Sequence, residues 1–410
     1  MKDTRPLLSL DEALQRLAAG AAAHRIRANQ TISTFEALGR VLADDVRSTV
    51  DVPPADNTSM DGYALRAADV PVPGTVLAVS QRIPAGVVGV PLQPGTAARI
   101  FTGGQVPPGA DAVVMQEQCE ARPDAGLGQV RVDSVPTPGQ WIRRAGEDVR
   151  LGATVLAAGT RLTPQALGMA ASVGAAFLPV LRRPQVAVFS TGDELAMPGE
   201  PLKPGAIYNS NRYTLRALLQ AAGCEVQDLG IVPDRLDATR AALRRAATGS
   251  DLILTSGGVS VGEEDHLKPA VNAEGALDLW QIAMKPGKPL AFGHVGDALL
   301  MGLPGNPVSS FVTFLLAVAP VLRALQGMPA TGPAALSLRA DFDWPRPDRR
   351  REFLRVRLNP AGGLELFNNQ SSGVLNSTVW ADGLADIPAG QTVQRGDAVR
   401  FLPMDSLVWR

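Results

Sequence analysis

A glycine-rich stretch that ends in acidic residues, residues 256–265, directly follows the short apolar run 252–254. It contains two serines, three acids and three glycines, the glycines being Gly257, Gly258 and Gly262. Glycines leave backbone N–H groups bare, so that these groups can converge on an anion. Carboxylates such as that of Asp265 supply the hard oxygen ligands that Mg²⁺ prefers. The stretch predicts a loop for a phosphate or a metal-bound phosphate, although glycine-rich loops after strands are as often simple tight turns.

Polar groups also follow three other predicted strands, at residues 186–189, 225–232 and 298–303. The residues concerned are Thr191, Gly192, Asp193, Glu194, Asp234, Pro304, Gly305 and Asn306. Because the carboxyl ends of parallel strands emerge at one edge of a sheet, we expect these loops to lie together. Asn306 is a good N-cap before Pro307, and the N-terminus of the predicted helix is a suitable anion site.

Four carboxylates are predicted at this edge of the sheet, those of Asp193, Glu194, Asp234 and Asp265. Two carboxylates about 4 Å apart repel each other by roughly 4 kcal/mol at an effective dielectric of about 20. A cation is therefore expected, either Mg²⁺ or the ammonium groups of Lys285 and Lys288. The alternative is that some of these acids point into water and act only as caps.

The elements that must position these residues alternate between strand and helix from residue 184 to 327. This alternation predicts right-handed βαβ units, and hence one doubly wound α/β domain with a parallel sheet covered on both faces. Short apolar runs separated by Pro and Gly predict a small all-β domain at 74–135 and a small β barrel after 328. The charged run 346–352 is most typical of a solvated hairpin turn.

Two loops outside the α/β region also carry groups capable of chemistry. Residues 56–64 gather turn formers and two acids around Met60, which is typical of an Asx-rich loop between domains or of a loop that lends Asp61 to a site elsewhere. Residues 102–111 begin with Thr102 and two glycines. They suit an anion contact, but turn formation alone also explains them.

The composition argues against several classes of function. The 39 Lys and Arg nearly balance the 40 Asp and Glu, which argues against binding to nucleic acid or to a membrane surface. The longest apolar run, residues 311–322, is shorter than the roughly 20 residues that span a bilayer, and no signal peptide is predicted. The two cysteines, Cys119 and Cys224, are far apart, which fits a protein of the reducing cytoplasm.

Seven short motifs, in order along nearly the whole chain, resemble those of the molybdopterin molybdenumtransferase family, which includes MoeA and the gephyrin E-domain. The motifs lie at residues 56–64, 102–111, 190–195, 257–265, 285–289, 303–307 and 381–384. Each motif is weak alone, but seven in the same order are a strong match. Where some members of the family carry a further lysine, this chain has Gln281, a departure that bears on the anion contact at that position.

The resemblance implies an elongated homodimer of four-domain subunits. The expected domains are a discontinuous N-terminal dimerisation domain of helical and extended segments at 1–48 and 147–183, an inserted β domain at 49–146, the α/β molybdopterin-binding domain at 184–327, and a C-terminal β-barrel domain at 328–410. The active site is then expected between the α/β domain of one subunit and the β domain of the other, which carries Asp61.

Members of the family take adenylated molybdopterin and molybdate, insert molybdenum between the dithiolene sulfurs, and release AMP with the help of a divalent cation. We therefore expect a cytoplasmic enzyme of molybdenum cofactor biosynthesis, to which an adenylyltransferase supplies the substrate. The alternative hypothesis is that this chain itself adenylates molybdopterin, because the family's adenylyltransferases share the α/β domain. A scaffolding role like that of gephyrin is less favoured, since no additional domain is predicted.

The resemblance also implies roles for single residues. Mg²⁺ is expected on Asp193, Glu194, Asp234 or Asp265, and the compact ammonium groups of Lys285 and Lys288 are expected to attract molybdate. Loss of oxo groups as water requires a proton donor, a role open to Asp61 or Asp148 if its pKa were raised. The expected catalytic residues are Asp61, Asp148, Glu194, Asp234, Asp265 and Lys285. The expected substrate contacts are Thr102, Thr191, Gly192, Ser256, Gly257, Gly258, Ser260, Gly262, Lys288, Pro304, Gly305, Asn306, Arg351 and Ser371.

Overall fold

The structure, a computed structural model, describes residues 7–259, 266–328 and 333–409 of the chain. The α/β region is built on a six-stranded sheet, in the order Glu225–Val232, Gln185–Thr191, Leu252–Ser256, Ala298–Leu303, Pro289–Val295 and Gly275–Gln281. The first four strands are parallel, as the alternation of strands and helices predicts. The last two run antiparallel to their neighbours, which was not predicted.

The segment between the two antiparallel strands, residues 282–288, leaves the α/β sheet. Its short strand Met284–Lys285 pairs in parallel with the beginning of the strand Arg351–Leu358 in the C-terminal region. The two antiparallel strands are therefore not joined by the tight turn that marks a hairpin in a sequence. This excursion carries Lys285 onto the C-terminal sheet.

Apolar side chains cover both faces of the α/β sheet. On one face the helices Leu236–Ala247 and Leu267–Glu274 pack against the strands. On the other face lie the helices Leu10–Ala23 and Ser210–Ala221, together with the helical segment Pro307–Leu325. The strands are apolar and buried on both sides, as expected for parallel strands between two layers of helices.

The first helix, Leu10–Ala23, packs against the α/β core. It begins at a capping box in which Glu12 N–H donates to Ser9 Oγ at 3.2 Å and Ser9 N–H donates to Glu12 Oε2 at 3.0 Å. Its buried face, formed by Leu10, Ala13, Leu17 and Ala21, joins the same apolar cluster as the α/β helices. The domain boundaries inferred from the sequence grouped this helix with residues 147–183 instead.

The segment Pro307–Leu325 consists of the helix Pro307–Thr313, a π-helical turn at Phe314–Val318 and the helix Ala319–Leu325. By length and composition it is the one helix in the described ranges that is apolar enough to cross a membrane, but 78% of this stretch is buried inside the protein. The apolar character of this segment is therefore explained by its place as the central core helix on its side of the sheet.

A second six-stranded sheet lies in the inserted region, in the order Ala112–Met115, Gly62–Leu65, Thr96–Ile100, Thr75–Ile83, Gln129–Val132 and Cys119–Arg122. Successive side chains of a strand point to opposite faces, so Tyr63 and Leu65 enter one apolar core and Ala64 enters another. The all-β character predicted for 74–135 is present. Asp61 immediately precedes the strand Gly62–Leu65, and Thr102 lies just after the neighbouring strand Thr96–Ile100.

Two stretches on either side of the inserted sheet share a third apolar core, which includes Leu42, Leu162 and Val180. The strand Asn29–Ser33 pairs with Phe177–Leu181, and this pair lies beside the elements that complete the core. These elements are the paired strands Val46–Arg47 and Thr154–Leu156 and the helix Pro164–Ser172.

The C-terminal region forms a third large sheet, in the order Met284–Lys285, Arg351–Leu358, Gly383–Ile387, Ala398–Pro403 and Leu336–Arg339. The strand Leu364–Leu366 also pairs with Arg351–Leu358, and a single bridge joins Ala340 to Leu364, so the sheet curls around its own core. Four further apolar side chains of this region pack into the α/β core, those of Phe353, Leu384, Leu402 and Leu407. The short helices Asn376–Trp380 and Met404–Trp409 complete the region.

Candidate active site

A cavity of about 720 Å³ opens where the four parallel strands of the α/β sheet end, and its opposite wall belongs to the C-terminal region. All four strand-end loops contribute to it, as predicted from the parallel sheet. The predicted residues that line it are Thr191, Gly192, Glu194, Asp234, Gly257, Gly258, Lys285, Lys288, Pro304, Gly305, Asn306 and Ser371. Ser260, Gly262 and Asp265, predicted to belong to the same glycine-rich loop, lie outside the described residues.

The glycine at position 257 is required by the geometry of the cavity floor. Its φ of +88° lies in the left-handed region, and a Cβ at this position would lie 2.8 Å from the carbonyl oxygen of Thr191. Gly258 also has a positive φ, +68°. Ser256 does not line the cavity: it is buried at the end of its strand, where its Oγ lies 3.2 Å from Ser190 Oγ. The floor is therefore bare backbone supported by two buried hydroxyl groups.

Two carboxylates, those of Glu194 and Asp234, line the cavity. Asp193 contributes differently, because its Oδ1 accepts a hydrogen bond of 3.1 Å from the backbone N–H of Asp234 and so fixes that loop. Among the described ranges no three His, Cys, Asp or Glu side chains form a metal cluster. Two carboxylates facing an anion-binding floor still suit Mg²⁺, which proteins usually hold through one or two carboxylates together with substrate phosphates and water.

The opposite wall is cationic and is formed by Lys285, Lys288 and Arg350. Lys285 Nζ lies 2.9 Å from Glu352 Oε1 and 3.3 Å from Asp348 Oδ2, so its charge is partly compensated. Within the described part of the chain, Lys288 forms no ion pair. Lys288 is therefore the least compensated of the three cations.

The charged run 346–352 is not a solvated hairpin. Glu352 is only 1% exposed, and its Oε2 accepts a hydrogen bond of 2.8 Å from Trp344 Nε1. Arg350 binds Asp348 at 2.8 Å, and this bond, with the backbone N–H of Arg350 and the ammonium group of Lys285, leaves the Asp348 pKa well below its usual range although burial raises it. This run thus supplies Arg350 to the cavity wall and two carboxylates, those of Asp348 and Glu352, as counterions, while Arg346 and Arg349 are exposed.

Arg350 lies in the position that the sequence assigned to Arg351. The Arg351 guanidinium forms two bonds of 2.6 Å to Asp386 and lies 3.3 Å from Asp11, and it does not line the cavity. Arg350 immediately precedes the strand that begins at Arg351, and of these two adjacent arginines Arg350 lines the cavity. Arg351, predicted as a substrate contact, therefore lies outside the cavity lining.

The helix that begins at Pro307 meets the C-terminal region at its first turn. Val308 N–H donates to Ser372 O at 3.0 Å, so a carbonyl group of the C-terminal wall occupies this donor. Asn306 occupies the N-cap position and lines the cavity, but its side chain makes no capping hydrogen bond. The amide of Asn306 is thus left facing the cavity, which differs from its predicted role as a cap.

The buried side chain of Arg355 holds in place the loop that carries Ser371. It is 1% exposed, and burial lowers the pKa of its guanidinium to about 10. The guanidinium donates to Phe353 O at 3.1 Å and to Ser377 Oγ at 3.2 Å, and it lies 3.5 Å from Ser371 O. Gln370 is clamped to the Arg355 backbone by hydrogen bonds of 2.9 and 3.0 Å. The loop is therefore held by its backbone, while Gln370, Ser371 and Ser372 all line the cavity.

Three predicted residues lie away from this cavity: Asp61, Thr102 and Asp148. Asp61 Oδ1 accepts hydrogen bonds of 2.7 Å from both the N–H and the Oγ1 of Thr102. These bonds lower the Asp61 pKa, which opposes its predicted role as a proton donor with a raised pKa. Asp148 is exposed, and its backbone N–H donates to Val52 O at 3.0 Å.

Arg350, Gln370 and Ser309 also line the cavity, and no pattern in the sequence singles them out. The pair Ser371 and Ser372 before Gly373 is a visible signal of a polar loop, and both serines line the cavity. Gln281, where some relatives carry lysine, lies at the end of its strand outside the cavity lining, and its carbonyl accepts a bond of 2.9 Å from Leu8 N–H.

The fold and the cavity define a class of protein: a multidomain chain with a cavity suited to anions between the carboxyl edge of an α/β sheet and a second, C-terminal sheet. Comparisons with known proteins agree along the whole length. Three family models match: "MoeA N-terminal region (domain I and II)" at residues 8–174, "Probable molybdopterin binding domain" at 187–324, and "MoeA C-terminal region (domain IV)" at 337–404.

Relatives from other organisms are similar over most of the chain. The chain is 44% identical over 292 residues to a protein of Haemophilus influenzae named molybdopterin molybdenumtransferase, covering 71% of this chain and 72% of that protein. It is 40% identical over 370 residues to molybdopterin molybdenumtransferase 2 of Mycobacterium tuberculosis, covering 87% and 90%. A crystal structure of the molybdopterin biosynthesis protein moeA from Pyrococcus horikoshii matches with a TM-score of 0.83 at 29% identity, covering 97% of this chain and all of that one. This chain belongs to the MoeA family of molybdopterin molybdenumtransferases, which confirms the family predicted from its motifs.

Proposed function

We propose that this chain inserts molybdenum from molybdate into adenylated molybdopterin, releasing AMP and leaving molybdenum-molybdopterin. The observation that carries this proposal is one cavity with a floor of bare glycine backbone, two carboxylates and a cationic wall. Both substrates are anionic, and the two walls offer different kinds of anion contact. The relatives that share this architecture are named for the same transfer.

The floor would hold the adenylyl phosphate. Gly257 and Gly258 present backbone without side chains, and Thr191 lies beside them with its hydroxyl group. Backbone N–H groups in a loop with positive φ angles form a concave anion site that attracts a phosphate without any charged side chain. Asn306, whose amide is free of a capping bond, supplies a further donor at the rim.

Glu194 and Asp234 would hold Mg²⁺, with Asp193 fixing the Asp234 loop through its backbone N–H. A divalent cation bound there would neutralise the phosphate charge that develops as AMP leaves. Asp193 and Asp265 remain predicted as further ligands. The protein's own contribution is to bring both carboxylates to the same side of the cavity as the glycine floor.

Lys288, Lys285 and Arg350 would attract and hold molybdate opposite the phosphate. Lys288 has no compensating carboxylate among the described residues, so its charge acts on an incoming dianion most directly. Lys285 is held between Glu352 and Asp348 and is suited to positioning the oxyanion through hydrogen bonds. The hydroxyl groups of Ser371 and Ser372 lie on the same wall and can donate to oxo groups.

The proposal includes a homodimer in which the inserted β domain of one copy, with Asp61 and Thr102, approaches the cavity of the other. This arrangement accounts for two predicted residues that lie outside the cavity of their own chain. An ionised Asp61 would then act by electrostatics or by ordering water. We also propose action in the cytoplasm, supported by two unpaired cysteines, with an adenylyltransferase supplying the substrate.

The second candidate, adenylation of molybdopterin by this chain, is not favoured. The α/β region alone would support it, but the regions before and after it match models specific to MoeA. The test supplies the full chain with adenylated molybdopterin and Mg²⁺, with and without molybdate, and follows AMP. Release of AMP that depends on molybdate supports the transferase. Consumption of ATP with free molybdopterin, without molybdate-dependent release of AMP, would contradict it.

A further inference from the structure

A second, smaller cavity lies in the inserted β region and shares no residue with the candidate active site. Its volume is about 340 Å³, and its polar lining consists of Arg82, Arg99, Arg122, Gln129 and the edge of Tyr63. No carboxylate belongs to the described lining. Three guanidinium groups that line one hollow repel one another, and a bound anion would stabilise this arrangement because the lining contains no acid.

Two of these arginines are placed side by side by the strands that carry them. Arg82 and Arg99 are register partners in the parallel strands Thr75–Ile83 and Thr96–Ile100, and Arg99 is also the partner of Tyr63 across the next strand. Partners in register project from the same face of a sheet. The two positive charges therefore lie close together because of the backbone pairing.

An aromatic ring positions both guanidinium groups. The Cζ of Arg82 lies 4.5 Å from the centroid of the Phe101 ring, and the Cζ of Arg99 lies 4.6 Å from the same centroid. The Arg99 Cζ also lies 5.1 Å from the centroid of Tyr63. Contacts of this kind orient a guanidinium group while leaving its N–H donors at the edge available.

Neither Arg82 nor Arg99 forms an ion pair with a carboxylate in the described parts of the chain, although the charge of Arg99 contributes to lowering the pKa of Asp61. Arg99 donates only to neutral oxygens, Gly62 O at 3.0 Å and Gln116 Oε1 at 2.7 Å. Arg82 makes no hydrogen bond or ion pair there beyond its contact with Phe101. Asp61 accepts two bonds from Thr102. Glu120 lies 3.1 Å from Arg131 and 3.5 Å from Arg122, so Arg122 is partly compensated and contributes less to the hollow than Arg82 and Arg99.

We propose that this hollow binds the phosphate of a small organic phosphate monoester, with Arg82 and Arg99 as its main contacts. A phosphate dianion accepts from the planar fork of a guanidinium group through two oxygens, and it neutralises both arginines at once. The other lining residues are mostly apolar: Val79, Ala121, Pro123 and Leu127. They suit an apolar or aromatic group attached to the phosphate, and the volume is at the lower end for small-molecule sites.

This site is separate from the proposed transfer reaction, and its test does not depend on that reaction. Phenyl phosphate, a small aromatic phosphate monoester, is titrated into the full chain at low salt and followed by calorimetry. The variant is Arg82→Gln, because Arg82 is exposed and makes no hydrogen bond that the fold needs. The control is Arg143→Gln, which removes an exposed arginine of the same region that does not line the hollow.

We expect Arg82→Gln to weaken one class of phenyl phosphate sites by about tenfold, the loss of a hydrogen bond between charged groups. Arg143→Gln should leave the isotherm unchanged, and Arg82→Lys should recover only part of the affinity, since lysine keeps the charge but not the planar fork. An unchanged isotherm in Arg82→Gln, or an equal loss in Arg143→Gln, would overturn the site. Inorganic phosphate that binds as tightly as phenyl phosphate would overturn the assignment of an organic ligand.

Discussion

Lys285 Nζ lies 2.9 Å from Glu352 Oε1, and this contact joins the excursion from the α/β sheet to the C-terminal sheet at the wall of the cavity. Glu352 is almost completely buried and also accepts from Trp344, whereas Lys285 is partly exposed. The cost of removing the Glu352 carboxylate from water is therefore offset by its contacts with Lys285 and Trp344. The lysine is held in place by a carboxylate that the substrate cannot reach.

Replacing Glu352 with glutamine is expected to destabilise the protein by about 1–3 kcal/mol, because Lys285 and Trp344 lose a buried, charged partner. Urea unfolding measures this change. The matched control is Glu365→Gln, which breaks the exposed pair with Arg357 in the same region and should cost less than about 1 kcal/mol. An equal loss of unfolding free energy in the two variants would mean that the contact between Lys285 and Glu352 contributes no more to stability than an exposed ion pair.

Arg350 and Arg351 are expected to separate binding from stability. Arg350→Gln removes a cation from the cavity wall and should raise the KM for molybdate by about tenfold, as expected for loss of a charged hydrogen bond. Arg351→Gln leaves the buried Asp386 with Arg400, at 3.7 Å, as its one cationic partner among the described residues and should cost about 2 kcal/mol of stability at an unchanged KM. Steady-state kinetics and thermal unfolding of both variants check this. The opposite pattern would restore Arg351 as the substrate contact.

Gly257→Ala should lower turnover by more than about tenfold, because a methyl group 2.8 Å from Thr191 O must displace the floor of the cavity. The backbone strain alone, common to any alanine at positive φ, is expected to cost about 1–2 kcal/mol. Gly249→Ala provides the control for strain, since Gly249 has a φ of +76° and a Cβ there meets nothing within 4 Å. Comparable turnover in the two alanine variants would argue against a shaped floor.

The pKa of Asp61 should rise in Thr102→Val, because the valine removes the hydroxyl donor and leaves only the backbone N–H. The depressed pKa of the parent chain makes a contribution to stability that is present above the unfolded-state pKa and is lost as the pH falls through the folded-state value. In Thr102→Val this contribution should be smaller, and its loss on acidification should be complete at a higher pH. Carboxyl NMR titration measures the shift, with Thr75→Val as a control whose hydroxyl binds only Val72 O. An unshifted titration would show that the hydroxyl bond is not formed in solution.

Chelation of divalent cations should abolish release of AMP, and added Mg²⁺ should restore it, if Glu194 and Asp234 hold the metal. Asp234→Asn should then require a higher Mg²⁺ concentration for half-maximal activity. Asp237→Asn is a suitable control because this acid is exposed on the following helix and does not line the cavity. A chain that is fully active in excess chelator would rule out the metal role of this pair.

The sequence predicted the part of the site that follows from parallel strands. Thr191, Asp234, Gly257 and Asn306 meet at one edge because each lies at the end of a parallel strand or within three residues after it, and chain direction alone places such residues there. The wall opposite could not be found in this way. Lys285 and Arg350 meet through a pairing between strands that lie more than 60 residues apart in the sequence, and no local pattern specifies which sheet receives such a strand.

Other errors have local causes. Arg350 immediately precedes a strand that begins at Arg351, and which of these two arginines faces the cavity depends on a register that the sequence does not reveal. The run 346–352 resembles a solvated turn because charged runs are common on surfaces, whereas here Asp348 and Glu352 pair with Arg350 and Lys285 of the cavity wall. Asn306 has the residue type and position of a helix cap, yet its side chain makes no capping bond.

The parallel pairing of Met284–Lys285 with the strand Arg351–Leu358 has a mechanical consequence. A hinge motion that widened the cavity between the α/β and C-terminal regions would break the main-chain hydrogen bonds of this strand pair. It would also remove Phe353 and Leu402 from the apolar core that the two regions share. The width of the cleft is therefore set by the backbone, and substrates must enter and leave along a fixed slot. For the same reason, cutting the chain near residue 328 would yield two fragments that each expose an unpaired strand edge and apolar surface, rather than two independently folded domains.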